Sequence, residues 1–408
     1  MEVDNILFKG LRKFNSLNLN EASDDICTAS ALSQFETGKI NLTDKIKAKL
    51  LDKYGIKIIP HEADIGFLKR KVSTFSRSQE RFYYPASLKI YDFLISRQGS
   101  LCFDLNLVID SFNELATFEL IQFINHDLAI KRITFLKSLK NLKNIMSRVQ
   151  LQKFYFNLGL VELILNKDVD KLIKNFRLSF DNMDNSRNSY IVFWYAYALK
   201  YFGRKIMAVK YYLEVETMFK FENNTLGVEN VLLELAEVFL IINEIEQASD
   251  YLNRYNEGKK MIKKALKSNE CLFNLVKGEL ALKQSHFKKA LIHLENALKC
   301  QDGSLIDNDL KDFIYTLLIR VYKEINHDKY IDITNELKSG LNLTEIKCST
   351  VFLLKHEYNE KDYEDYIIKK IIPNKSKISN RNYTTVISDY RNYLVAKRKY
   401  ALLSKIST

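Results

Sequence analysis

Gly278, Ala281, Ala290, Leu294 and Ala297 set out a spacing of small and bulky residues that recurs along the chain. The preceding copy reads Leu232, Leu235, Ala236, Phe239, Ala248, Leu252 and Tyr255. Another reads Ala196, Leu199, Ala208, Tyr212 and Val215, with Gly203 at the turn. Weaker copies run Leu160, Leu163, Leu172, Phe176, Ser179 and Leu318, Val321, Tyr330, Thr334, Leu337. A degenerate one, Val351, Leu354, Tyr363, Ile367, is closed by Pro373. Two antiparallel helices packed closely need this arrangement: the small residues let the axes approach, and the bulky ones fill the groove towards the next pair. A single hairpin cannot bury its apolar face, so the copies must stack.

The rest of the chain agrees with a helical reading. It has 408 residues but only 12 Gly and 3 Pro, so the residues that break helices are scarce. No stretch alternates apolar and polar residues as a half-buried strand does. The expected fold class is all-α, in more than one structural unit. Residues 87–149 carry helical periodicity without a clean signature and read as one or two divergent hairpins. The last stretch, SDYRNYLVAKRKYALLSKI, reads as a capping helix or helix pair. The repeated pattern resembles tetratricopeptide hairpins. That resemblance implies a right-handed superhelix with a concave surface lined by the first helix of each hairpin.

The N-terminal segment is of another kind. Asn18 followed by Glu21 is a capping box that starts a short helix through about Asp25. Thr28 caps a second helix, TASALSQFE, with Ala31, Leu32 and Phe35 on one face, and Gly38 is placed to end it in the left-handed region. Two short helices across a three-residue turn is the helix-turn-helix layout, whose second helix enters the major groove of DNA. The string ICTASALSQFETGK resembles the Xre-type helix-turn-helix, most closely that of PlcR-type regulators. The resemblance implies that Thr28, Ala29, Ser30, Ser33 and Gln34 face base edges or phosphates, with Lys9, Arg12 and Lys39 near the DNA backbone. The sequence departs from that family at Leu19, where a phosphate-contacting Gln is usual, and at Gln34, which leaves the second helix without a basic residue.

Projecting the groove-facing positions of the repeats gives a set of candidate peptide contacts: Asn157, Tyr190, Phe193, Tyr197, Lys200, Asn230, Glu237, Glu279, Asp312, Tyr315 and Tyr322. An Asn amide offers a donor and an acceptor to an extended backbone, and aromatic neighbours supply apolar pockets. Lys200, Glu237 and Glu279 could select charges or termini.

A helix-turn-helix joined to such repeats resembles the RRNPP family of peptide-pheromone-responsive transcription regulators. The expected division is residues 1–60 as the DNA reader, 61–85 as a linker helix, and 86–408 as the repeat domain that binds peptide and dimerises. The resemblance implies a homodimer with double-stranded DNA and a short signalling peptide as partners, acting in quorum sensing. Two other readings fit the same residues. One is a repeat-based adaptor that binds a partner protein without DNA. The other is a phage or plasmid repressor of this architecture with no peptide ligand.

The formal charge of +12 favours an anionic partner. Residues 1–60 are nearly balanced, because Asp24, Asp25, Glu36, Asp44 and Asp52 offset the lysines. The excess lies between Lys69 and Arg81 and in the tail from Lys369 onward. Cys27, Cys102, Cys271, Cys300 and Cys348 form no CxxC pair, which argues against a disulfide framework or zinc site and fits a reducing compartment. There is no P-loop, GxGxxG, GxSxG or HExxH, and the histidines do not cluster with acids. Neither an enzyme, a cofactor nor a metal is expected. Without a signal pattern or a long apolar run, the expectation is a cytoplasmic protein with no membrane partner.

Overall fold

The computed structural model describes residues 3–56, 62–101, 104–122, 124–139, 145–166, 168–182, 188–261, 267–299, 308–325, 330, 335, 348–357, 360–378 and 380–406. Among them there is no strand, and the chain is all-α. It divides into two compact units, Met1–Ile191 and Val192–Thr408.

The first unit opens with α1 (Val3–Phe14), α2 (Leu19–Ser23), α3 (Ala29–Glu36) and α4 (Asp44–Lys53). Leu11, Leu32, Phe35 and Leu50 are fully or almost fully buried among them. Phe8 meets Phe35 edge-on at 5.4 Å and Tyr54 at 6.3 Å, which closes this small core. Next come α5 (Glu62–Glu80), α6 (Tyr84–Ser96), the short α7 (Gln98–Leu101), α8 (Leu105–Ile121) and α9 (His126–Ser138). The unit continues with α10 (Arg148–Val161), extended by a π-helical turn over Glu162–Asn166, and α11 (Val169–Asp181).

The expected linker helix is α5, and it is not a free tether. Leu68, Val72 and Phe75 enter a shared cluster with Tyr91, Leu94, Leu107, Leu115 and Phe118. Helix α8 is apolar on almost every side and is buried accordingly, with α5, α9 and α10 packed around it. The residues that lacked a repeat signature, 87–149, thus contain the α8–α9 hairpin.

The second unit begins within α12 (Ser189–Tyr201) and continues through α13 (Lys205–Phe221), α14 (Thr225–Ile241), α15 (Ile245–Met261), α16 (Lys267–Lys283) and α17 (Phe287–Lys299). Then follow α18 (Asn308–Glu324), α19 (Cys348–Glu357), α20 (Glu360–Tyr366) with a π-helical extension over Ile367–Ile371, α21 (Asn380–Ala396) and α22 (Tyr400–Ile406). The repeat spacing falls on these hairpins as expected. A Cβ at Gly278 would stand 2.7 Å from Leu294 Cγ, so α16 and α17 approach as closely as they do only because position 278 is Gly. Ala290, Leu294 and Ala297 are wholly buried against α16 and α18. Thr334 and Leu337 of the weaker copy lie outside the described residues. The last helices have their own cluster, in which Tyr363, Tyr390 and Tyr393 surround one another at 5.1–6.0 Å.

Candidate functional site

The α2–α3 pair is built by its caps. The Asn18 side chain accepts from the Glu21 N–H at 2.9 Å, and Glu21 Oε2 accepts from the Asn18 N–H at 2.7 Å, which completes the capping box. Helix α2 stops at Ser23, short of the expected Asp25: Asp24 leaves the helical region at ψ 129°, and Asp25 follows with a φ of +58°. The Thr28 hydroxyl accepts from the Ala31 N–H at 3.1 Å and starts α3. Gly38 ends it at φ +77°, the conformation expected of it.

Helix α3 buries Leu32 and Phe35 and turns Ser30 and Gln34 outward. Thr28 and Lys39, which flank the helix, are also exposed; Ala29, Ser33 and Lys9 are half-buried. Arg12 does not join them. Its Nε and Nη2 donate to Glu36 Oε1 and Oε2 at 2.7 and 2.8 Å, and Nη1 donates to the Leu17 carbonyl at 2.8 Å. With both partners buried, Arg12 is a strut between α1 and α3, and the expectation that it lies near the DNA backbone is corrected. A basic residue in the last turn of an amphipathic helix gave no sign in sequence that its partner was an acid two helices away.

The candidate peptide contacts divide in the same way. In the first unit, Asn157 is fully buried: its amide donates to the Asn113 carbonyl at 2.9 Å, and its Oδ1 accepts from the Thr117 hydroxyl at 2.7 Å. That network ties α10 to α8, so Asn157 cannot offer an amide to a ligand as expected. Tyr190 is buried against Phe82 at 5.2 Å and Phe156 at 6.1 Å.

In the second unit, Tyr197, Lys200 and Glu237 do come together, but with each other. Lys200 Nζ donates to Glu234 at 2.5 Å and Glu237 at 2.7 Å, and lies 4.7 Å from the centre of the Tyr197 ring. The Tyr212 hydroxyl adds a bond of 2.7 Å to Glu234. Burial raises the Glu234 carboxyl above its usual range despite the pull of Lys200. Phe193, Glu279 and Tyr322 are also buried, the last donating to Glu295 at 2.8 Å. Asp312 caps α19 through the Ser349 N–H at 3.1 Å. Asn230, whose amide bonds the Leu226 carbonyl, and Tyr315, beside Lys311, remain half-buried.

A third feature was not read from the sequence. In the first unit a cavity of about 290 Å³ opens between one face of α5 (Lys69, Val72, Ser73, Ser76, Arg77, Glu80), α8 (Asp110, Glu114) and α10 (Gln150, Gln152, Lys153). Lys153 Nζ bonds Glu80 at 2.9 Å and Glu114 at 3.2 Å, so it ties α10 to α5 and α8. Burial opposes the ionised Glu80, but the Lys153 charge and three hydrogen bonds outweigh it and hold that carboxyl below its usual range. For Glu114, buried more deeply, burial wins and the carboxyl is raised.

No protein-family model matches the sequence, and neither does any curated protein. Among solved structures, the apo form of the quorum sensor NprR from B. thuringiensis superposes with a TM-score of 0.59 at 14% identity, covering 85% of this chain and 99% of that one. NprR in complex with its cognate peptide NprX gives 0.60 at 14% identity, covering 84% and 99%. The chain has the NprR fold.

Low identity within the NprR fold is physically reasonable. The packing rule constrains a few small and bulky positions per hairpin and leaves the outward-facing residues free to diverge. Among the described residues, no helix is long and apolar enough to cross a membrane, and no group of acids, histidines and cysteines could hold a metal ion.

Proposed function

We propose that the chain is a DNA-binding transcription regulator of the RRNPP kind, a homodimer whose repeats bind a short signalling peptide and couple that binding to DNA affinity. The observation that carries this reading is the reader itself. A capped α2–α3 pair, with α3 held to α1 by the Arg12–Glu36 pair, presents Thr28, Ser30, Gln34 and Lys39 to solvent. Hydroxyls and a carboxamide at the start of a recognition helix are suited to base edges and phosphates. The peptide half of the reading rests on the shared fold: NprR is described in complex with its cognate peptide NprX.

The lack of a basic residue in α3 favours a second reading, a repeat adaptor in which these helices contact protein. Binding of the purified protein to labelled DNA from upstream of its own gene, titrated with salt, separates the two. The regulator reading expects binding tighter than to a scrambled duplex, lost in a Ser30→Ala/Gln34→Ala protein. Equal binding to both duplexes leaves the adaptor.

A further inference from the structure

We infer that the cavity between α5, α8 and α10 is a binding site for a primary ammonium group and the amide beside it, such as the amino-terminal residue of a short peptide. Asp110 and Glu114 would accept from the ammonium, and the Gln152 carboxamide would bond the adjacent amide.

Three cations, Lys69, Arg77 and Lys153, line the cavity, but none of them is ion-paired with Asp110 among the described residues. Three carboxylates line it, from Glu80, Asp110 and Glu114, and the one buried ammonium, Lys153, serves Glu80 and Glu114. Lys69 at one end is paired with Asp104 at 3.0 Å, and Arg77 is exposed on the outer part of the α5 face. Asp110 accepts the Gln150 amide at 2.8 Å and has no ion pair among the described residues. Asp110 and Glu114 are one helical turn apart on α8, so both carboxylates can reach one cation.

An acidic pair alone would be an ordinary helix face. Gln152 makes it more than that. Its residue is only 6% exposed and lines the cavity, yet its carboxamide has no hydrogen-bond partner among the described residues. A side chain buried this far is normally hydrogen-bonded, so the position is suited to a visiting partner. An amide with both donor and acceptor free matches a peptide bond. Leu107 and Val72 add apolar wall, and half-exposed Val149 stands at the rim. The volume is at the small end of ligand pockets and suits one or two residues.

The site deepens the peptide reading and rests on it for the nature of the ligand. It adds a consequence: α5 forms a wall of the cavity, so an occupant would touch the reader-proximal helix and the repeat helices at once.

Calorimetric titration of the full-length protein tests this with three probes: trialanine, N-acetyl-trialanine, and Nα-acetyl-lysine methylamide. Saturable binding of trialanine is expected, lost on acetylation and at least about tenfold weaker in Asp110→Asn and in Gln152→Leu. Asp110 is exposed, so its isosteric variant keeps the fold. Binding of the lysine probe instead, with the same dependence on Asp110, assigns the ammonium to a side chain. Equal binding of free and acetylated trialanine, binding indifferent to both substitutions, or no binding by either ammonium probe overturns the site. The peptide-regulator reading fails separately. It would survive failure of these probes if another peptide still altered DNA affinity, and it would fall, with the cavity standing, if no peptide did.

Discussion

Gly10 of α1 lies against the ring of Phe135 of α9, so close that a Cβ at position 10 would stand 2.5 Å from Phe135 Cε2. One turn on, Phe14 packs on Phe112 at 5.2 Å and on Phe135 at 6.4 Å, and the buried Arg132 guanidinium sits 5.0 Å from the Phe112 ring. Within the first unit, α1 is therefore seated on the α8–α9 hairpin. Gly10→Ala must displace a buried ring, and a loss of about 1–3 kcal/mol is expected. Urea denaturation measures it, and a Gly10→Ala/Phe135→Leu protein should recover part of the loss. A Gly10→Ala protein as stable as the parent would show that α1 is not packed this way.

Arg12 and Lys39 should separate stability from DNA affinity. Removing Arg12 leaves Glu36 buried without its partner, so Arg12→Ala should cost about 3–5 kcal/mol. Lys39→Ala should leave stability unchanged to within about 0.5 kcal/mol. In a DNA titration it should reduce the slope of log affinity against log salt by about one. The opposite pattern, a stable Arg12→Ala protein with a reduced slope, would return Arg12 to the DNA surface.

The two acids that share Lys153 should differ in what their substitution costs and in how that cost changes with pH. Glu80 has a lowered pKa in the fold, so it contributes stability that is complete above its unfolded value near 4.5 and is lost as pH falls through the lower folded value. Glu80→Gln should therefore cost about 2 kcal/mol near neutral pH. The gap to the parent should narrow as the solution is acidified through that range. Glu114 has a raised pKa, so its ionised form is disfavoured by folding, and its contribution falls as pH rises through the carboxylate range. Glu114→Gln should cost less than Glu80→Gln at neutral pH. Denaturation curves across the acid range decide between this order and its reverse.

Lys200 should be a structural cation. Lys200→Met leaves Glu234 and Glu237 buried together with no ammonium, and a loss of about 3–5 kcal/mol is expected. Adding Glu234→Gln should restore part of it. If Lys200→Met unfolds like the parent and alters peptide binding alone, the residue belongs to the ligand surface after all.

What the sequence revealed, and what it hid, follows from the range of each interaction. Caps are local: Asn18 with Glu21, and Thr28 with Ala31, bond three residues apart, so residue type and spacing specify them. The repeat packing was legible because Gly278 and Leu294 must meet wherever that hairpin forms. At the projected groove positions, Lys200 bonds Glu237 and Tyr322 bonds Glu295 instead of standing free. The cavity left no signature. Its walls come from α5 and from helices more than a repeat away, and Lys153 finds Glu80 across a sequence separation that no short motif spans.

The central claim is that a peptide bound to the repeats changes the affinity of the reader for DNA. The most direct test is to titrate the full-length protein against labelled upstream DNA with and without the short-peptide fraction of medium from cells carrying the gene. The account predicts a saturable change in DNA affinity of roughly 5–150-fold, the range of coupling between linked sites, and no change in a protein whose reader carries Ser30→Ala/Gln34→Ala. An affinity that is the same with and without the fraction at every concentration, in a protein that binds this DNA specifically, would contradict it.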